Sequence, residues 1–474
     1  MTVHSAQEVE TKLHVPTGFV MPSLTLLRGV DRAAVRTLRL RATYWDSEDR
    51  RLARGGVTLR HRTGEGRPRW TLKTANAAAT GLDREELSVL GSGTAVPPVL
   101  QGLVTARLRG AALLPLAQVR TRRISSLLFD ADGRELAEVV EDDVEVLRGG
   151  VVVDGWHEIE IEQRRTAPKA ARRVQAALVA AGAEPTDQTP KGVRALAADP
   201  TPDLPVAPTV DPQGPAGDLV RAALAKGLTD LVTQDVVVRR GLPDGVHQLR
   251  VGCRRLRSDL RTFRELLADD RVDALRSELS WLAGELGQAR DLEVLRERVR
   301  RAAGEDPLAP LEVSAVDAAL AADETIALQR GLAALDTERY LALLSLLREV
   351  AIAPVLSELA SRPGDEVVST MTRRARARLE AAVAALGRHD PDAEWHRARI
   401  LAKRARYAEE AAGRKAQHAR ALQEQLGEHQ DAAFAAEALL AMATARPDLA
   451  VVCARLAERE RARIRRVRSA VLAG

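Results

Sequence analysis

The chain has 474 residues, 45% of them hydrophobic and 29% charged, which excludes wholesale disorder and leaves room for about two to four domains. Its net charge is only +5, with 29 basic and 25 acidic residues through position 200 and 42 and 41 after it, so bulk charge does not mark either half as a nucleic-acid binder. No apolar run approaches the roughly 18 residues needed to cross a bilayer, and the two cysteines, Cys253 and Cys453, exclude a disulfide framework or a Cys-rich zinc site.

Aromatic residues make up only 3%, so the core must rest on Ala, Leu and Val, and a base-stacking surface is disfavoured. Arginine far outnumbers lysine, 64 to seven. A compact ammonium and a guanidinium fork are not interchangeable, so each lysine merits scrutiny. The opening MTVHSAQEVETK lacks the basic and apolar regions of a signal peptide, and a cytoplasmic location is expected.

Strand-like segments are predicted near 6–15, 37–46, 56–62, 69–74, 83–89, 117–129, 134–147 and 152–163, punctuated by Gly-rich turns. Helices are predicted over 22–36, 95–113 and 168–182. Eight strands suit a closed antiparallel barrel or tunnel with flanking helices. Residues 199–215 hold six prolines in DPTPDLPVAPTVDPQGP and form a linker. The following residues, 216–474, change to helical periodicity. Breaks fall at Pro243-Asp244-Gly245, Pro307–Pro310, Pro354, Pro363-Gly364, Asp390-Pro391 and Pro447, giving a bundle of eight or more helices. The expected fold is therefore multi-domain α+β, with domains at 1–198 and 216–474.

Residues two apart in a strand share a face. Glu8, Glu10 and Lys12 point one way. Arg39 and Arg41 oppose Leu38 and Leu40, and Arg60 and Arg62 oppose Val57 and Leu59. Arg69, Thr71 and Lys73 oppose Trp70 and Leu72, and Glu158, Glu160 and Glu162 oppose Ile159 and Ile161. A closed sheet with this face inward would line one part of a tunnel with carboxylates, which suit Mg²⁺ or Mn²⁺. Another part would carry Arg and Lys, which suit phosphate oxygens.

Glu8-Val9-Glu10-Thr11-Lys12 resembles the ExExK signature of the CYTH domains, the triphosphate tunnel metalloenzymes. Arg41-Ala42-Thr43-Tyr44-Trp45-Asp46 resembles that family's R-x-T-Y-Y-D strand, and LRHR, with Arg60 and Arg62, its L-R-x-R strand. Lys73, Arg122 or Arg123, Asp142 in LAEVVED, the HEIEIE strand and Lys191 in TPKG match further positions, over about residues 4–198. The resemblance implies catalytic roles for Glu8, Glu10, Lys12 and Lys73. It implies metal binding by Glu8, Glu10, Asp142 and the Glu158, Glu160 and Glu162 strand. It also implies phosphate binding by Arg39, Arg41, Arg60, Arg62, Lys73, Arg122, Arg123 and Lys191. The registers of Arg122/Arg123 and of the glutamate triplet stay open.

In the helical half, His247, Arg250, Arg254, Arg257 and Arg261 recur at offsets 0, 3, 7, 10 and 14, a stripe roughly 80° wide on one helix face. His396, Arg399, Lys403 and Arg406 repeat the first four offsets, and Arg255 and Arg404 correspond as well. LGQARD at 286–291 follows the first stripe and LGEHQD at 426–431 the second, which marks an internal duplication. Like charges on one face repel, so an anion should compensate. This half resembles the CHAD domain over about 218–468, which implies polyphosphate binding along the two stripes.

The expected function is metal-dependent hydrolysis of inorganic triphosphate to pyrophosphate and phosphate, with polyphosphate held by the helical domain. Three alternatives remain: an enzyme for thiamine triphosphate, a nucleotide or ATP cyclisation; a non-enzymatic protein of polyphosphate granules; and a nucleic-acid binder. Neither a specific nucleic acid nor a membrane is expected as partner.

Overall fold

A computed structural model describes residues 4–8, 10–16, 18–75, 84–163, 167–186, 189–305, 310–411 and 415–473. The chain divides into two compact units, Met1–Asp203 and Leu204–Gly474.

The first unit is one antiparallel sheet with helices. Its strands are β1 (His4–Glu8), β2 (Glu10–His14), β3 (Arg32–Asp46), β4 (Thr58–Thr63), β5 (Arg69–Ala75), β6 (Arg84–Leu90), β7 (Leu114–Phe129), β8 (Glu135–Arg148), β9 (Val151–Gln163) and β10 (Glu184–Pro185). The helices are α1 (Arg51–Arg54), α2 (Pro98–Leu108), α3 (Pro168–Ala180) and α4 (Lys191–Leu196). The sheet order is β1-β6-β5-β4-β3-β7-β8-β9-β2-β10, so the expected closed ladder of eight strands is instead an open ladder of ten. The cause lies in the first strand. β1 pairs with β6 and β2 pairs with β9, so one stretch of chain serves opposite ends of the sheet. Positions 8 and 10 are two residues apart, and chain connectivity therefore keeps those ends within about 7 Å.

The helix expected over 22–36 does not form. A single 3-10 turn covers Leu24–Leu26, and β3 begins at Arg32. All fifteen residues of β3 are matched by β7, from Arg32 opposite Phe129 to Asp46 opposite Leu114, so cross-strand pairing overrides the helix propensity of RAAVRTLRL. Asp46, in the RATYWD segment, is fully buried and accepts from the Ser47, Leu52 and Ala53 backbone N–H groups, which fixes α1.

Alternation sorts the sheet into two faces. Leu13, Leu128, Val139, Ile159 and Ile161 lie on the outer face and pack with Ala171, Val174 and Leu178 of α3. On the inner face, Ala42, Tyr44, Val119, Val144, Val146 and Trp156 pack with Ala195 and Leu196 of α4. Many of the other inner positions carry charge, Lys12, Arg60, Arg62, Lys73, Arg123, Asp142, Glu158 and Glu160 among them.

The second unit contains, among the described residues, ten helices: α5 (Gly217–Arg239), α6 (Gly245–Thr262), α7 (Arg271–Glu285), α8 (Gly287–Glu305), α9 (Pro310–Ala334), α10 (Glu338–Ile352), α11 (Gly364–Ala384), α12 (Asp392–Ala411), α13 (Gln417–Ala445) and α14 (Ala450–Ala473). α6 buries Leu249, Cys253, Leu256 and Leu260, and α12 buries Trp395, Ala398, Ala402 and Ala405. In both helices the apolar stripe turns the basic stripe away from the core. Cys253 is a small core residue, its thiol pushed up to about 12 by burial. No helix among the described residues is long and apolar enough to cross a membrane.

Candidate active site and basic helix surface

The inner face of the sheet bounds a cavity of about 210 Å³. Its cations are Lys12 from β2, Arg36 from β3, Arg60 and Arg62 from β4, Arg69 and Lys73 from β5, Arg123 from β7 and Lys191 from α4. Its carboxylates are Glu65, Glu86, Glu138, Glu160 and Glu162.

Strand register explains the pairs. Lys12 lies opposite Glu160, with Nζ 2.8 Å from Oε1. Lys73 lies opposite Glu86, at 3.0 Å. Arg123 lies opposite Asp142 and donates from Nε and Nη2 to its two oxygens at 2.9 and 2.7 Å, while Nη2 also reaches Glu160 at 3.2 Å.

Lys191 enters from outside the sheet. It stands at the first position of α4, and a Cβ on the next residue, Gly192, would come within 2.4 Å of the Tyr44 ring and 2.8 Å of Thr58. Glycine there lets the helix seat closely enough for Lys191 to bond Asp142 and to approach Glu158 at 2.9 Å and Glu160 at 3.7 Å.

Asp142, Glu158 and Glu160 each offer an oxygen within 4.8 Å of the others. Burial alone would raise the Glu160 carboxyl, but Lys191, Lys12 and Arg123 outweigh it and hold the group well below the usual carboxylate range. Burial alone would likewise lower the Lys191 ammonium, and Glu160, Asp142 and Glu158 raise it instead. Glu158 Oε2 accepts from the Trp156 indole at 2.6 Å. An all-carboxylate oxygen set suits Mg²⁺ or Mn²⁺ rather than a softer ion. The same oxygens also hold three cationic side chains, so a metal here would share them with Lys12, Lys191 and Arg123.

The structure thus brings together Lys12, Arg60, Arg62, Lys73, Arg123, Lys191, Asp142, Glu158, Glu160 and Glu162. It does not bring in Arg39, Arg41 or Arg122. These three are exposed, and the inner positions of their strands are the alternate ones, Arg36, Tyr44 and Arg123. The side chains of Glu8 and Glu10 lie outside the described residues.

Arg36, Glu65, Glu86 and Glu138 also line the cavity without having been singled out in the sequence. Glu86 and Glu138 were recoverable from alternation. Glu86 opposes the buried Leu87 and Val89, and Glu138 shares a face with Asp142.

In the second unit, α6 and α12 pack against one another. Arg250 Nη1 donates to the Gly287 carbonyl at 2.9 Å and to Asp291 at 3.0 Å, which explains the LGQARD segment. In the second copy, Arg399 lies beside Gly427 and feels the charge of Asp431. Arg406 bonds Glu410 at 3.0 Å, Arg255 reaches Glu410 at 3.4 Å, and His396 pairs with Gln430 at 2.7 Å. Arg254, Arg257, Arg261, Lys403 and Arg404 have no hydrogen bond or ion pair among the described residues. Burial pushes the Lys403 ammonium down to about 7, helped by Arg399 on its own helix and by Arg254 and Arg250 on α6. Burial, then Arg290 and Arg254, also lowers His247.

Residues 6–190 match the CYTH domain family model, and residues 222–440 match the CHAD domain model. The chain is a CYTH–CHAD protein. Uncharacterized proteins from two strains of Mycobacterium tuberculosis are 34% identical to it over 470 residues, covering 92% of this chain and 89% of theirs. Among solved structures, PptA from Streptomyces chartreusis is 25% identical and covers 55% of this chain and 98% of its own, with a TM-score of 0.47. The CHAD domain from the plant Ricinus communis is also 25% identical, covering 57% and 96%, with a TM-score of 0.48. CYTH domains are metal-dependent triphosphatases or cyclases, so the CYTH–CHAD chain is placed among enzymes of triphosphate chemistry.

Proposed function

We propose that the CYTH unit hydrolyses inorganic triphosphate to pyrophosphate and phosphate, and that the CHAD unit binds polyphosphate. The observation that carries the first part is the division of the cavity wall. β8 and β9 bring the Asp142, Glu158 and Glu160 carboxylates together, with Glu160 lining the cavity and the other two behind it, while β4 and β5 contribute Arg60, Arg62, Arg69 and Lys73. A divalent cation, Mg²⁺ or Mn²⁺, held by Asp142, Glu158 and Glu160 together with Glu8, Glu10 and Glu162, would polarise phosphate oxygens and supply an activated water.

The chain's own residues do the rest. Arg60, Arg62, Arg69 and Lys73 bind and orient the phosphate chain. Arg123 and Lys191 stand where the carboxylates meet the basic wall, and they stabilise charge as the anhydride bond breaks. No covalent nucleophile is needed. An inorganic chain is favoured over a nucleotide because Tyr44 is the one aromatic side chain among the described lining residues, and it is only 2% exposed. It offers no platform for a base.

The CHAD reading rests on Arg254, Arg257 and Lys403, cations without a hydrogen bond or ion pair among the described residues, on two helices that pack together. A flexible polyanion would compensate them and release counterions. The alternative of a pure polyphosphate binder, including one resident on cytoplasmic granules, is separated by one assay. Phosphate release from tripolyphosphate is measured with Mg²⁺ or Mn²⁺, for the wild type and for Glu8→Gln and Glu10→Gln. Turnover in the wild type and its loss in the variants supports the enzyme. Absence of turnover in all three, with polyphosphate still bound, leaves the binder.

A further inference from the structure

Glu65 belongs to the turn between β4 and β5. Gly64 before it has φ +99°, and a Cβ there would lie 2.1 Å from the Arg39 carbonyl oxygen. Only glycine lets this turn fold so tightly onto β3. The turn carries the Glu65 carboxylate back over the cavity, where Oε2 lies 2.7 Å from Arg62 and Oε1 lies 3.8 Å from Arg36. That Oε2 is buried, yet it has no hydrogen bond of good geometry. Burial and the neighbouring Arg60 both lower the Arg62 guanidinium, and Glu65 is the first opposing charge. Its negative charge also reaches Arg123. A carboxylate therefore rests on a guanidinium in a cavity otherwise built to receive an anion.

The geometry points to Glu65 as a built-in competitor for the Arg62 end of the cavity, one that tempers the hold on any phosphate chain long enough to reach that end. This inference rests on the reading of the cavity as a triphosphate site. A short anion seated on Lys191, Arg123 and Lys73 leaves the Glu65–Arg62 pair intact. A chain that spans the cavity exchanges a phosphate oxygen for the carboxylate and gains the bidentate guanidinium. Pyrophosphate, the product of the proposed reaction, is too short to make that exchange from the same seat, so Glu65 leaves its affinity nearly unchanged. Glu65 is a specificity-determining residue, and it takes no part in bond breaking.

The test uses the full chain with Glu65→Gln and Glu65→Ala. Tripolyphosphate and pyrophosphate binding are both measured by calorimetry in the presence of chelator, and pyrophosphate inhibition of tripolyphosphate turnover is measured with metal. Both variants should bind tripolyphosphate about three- to tenfold more tightly, the range expected for a partly exposed ion pair removed from competition, while pyrophosphate affinity stays within about twofold of the wild type. The gap between tripolyphosphate KM and the pyrophosphate inhibition constant should widen. The Gln variant keeps the size of the side chain, so a merely structural turn residue would leave it like the wild type. Unchanged tripolyphosphate affinity in a folded Gln variant overturns the inference. Absence of tripolyphosphate turnover in the wild type overturns the proposed reaction instead, and the chelator titration still decides the role of Glu65.

Discussion

Lys12 and Glu160 face one another across β2 and β9, with Nζ 2.8 Å from Oε1, and both are nearly buried. The pair ties β2 to β9 near one end of the sheet. Glu160 is also reached by Lys191 and Arg123, so one carboxylate is the common partner of three cations from three different elements.

Replacing Glu160 with Gln leaves those cations undercompensated and should destabilise the CYTH unit by about 3 kcal/mol at neutral pH, as for one partner removed from a buried ionic cluster. The sign of the pH dependence follows from the depressed carboxyl. Its stabilising contribution is present above the unfolded glutamate value of about 4.3 and is lost as pH falls toward the lower folded-state value. Thermal melts from pH 8 down to pH 3 should therefore show a wide gap between wild type and Glu160→Gln that narrows on acidification. A gap that does not depend on pH would contradict the electrostatic role of Glu160.

Gly192→Ala tests how Lys191 is delivered. The new methyl group meets the Tyr44 ring and Thr58, both buried, so α4 must retreat. The expected cost is about 1–3 kcal/mol of stability. The displaced ammonium should reduce tripolyphosphate kcat/KM by about tenfold or more. Near-normal activity and melting temperature would show that α4 need not seat so closely.

Much of this site was legible because strand alternation and the scarcity of lysine both carry chemical meaning. Lys12, Lys73 and Lys191 were exceptional in an Arg-dominated chain, and all three line the cavity. Alternation alone could not say which face turns inward. In β3 the outward Arg39 and Arg41 carry the charge, while inward Leu40, Ala42 and Tyr44 serve the core. Charge on a strand therefore pointed away from the cavity there and toward it in β4 and β5. Glu65 was illegible for a different reason. It acts from a turn, and its position depends on how closely Gly64 approaches a neighbouring strand. In the CHAD unit, the helical offsets marked the stripes, but only the packing of α6 against α12 accounts for the altered Lys403.

Arg122 and Arg123 offer an internal control. They are adjacent in sequence and lie on opposite faces of β7, with Arg122 exposed and Arg123 paired to Asp142 and Glu160. Arg123→Ala should lower tripolyphosphate kcat/KM by about ten- to a hundredfold, the value of a lost charge-assisted contact. Arg122→Ala should stay within about twofold of the wild type. Equal losses in the two variants would mean that β7 presents its other face to substrate.

Lys403 should make the proposed polyphosphate binding sensitive to pH. Its ammonium is pushed down to about 7 by burial and then by Arg399, Arg254 and Arg250, with Asp431 on α13 opposing. An unfolded lysine stays protonated to about 10.4. Below pH 7 the folded protein therefore carries the full penalty of charging this group, and the penalty fades as pH rises toward the unfolded value. A bound polyanion favours the charged form, so binding takes up a proton above neutrality and strengthens as pH falls. Titration of the full chain with long-chain polyphosphate between pH 9 and pH 7 should show affinity rising steadily. His247 is lowered by burial, Arg290 and Arg254, so it contributes little to that window. Lys403→Gln should bind more weakly at pH 7 and show a much flatter profile, while keeping a salt dependence from Arg254, Arg257 and Arg399. A variant profile as steep as the wild type's would place the titrating group elsewhere on the basic surface.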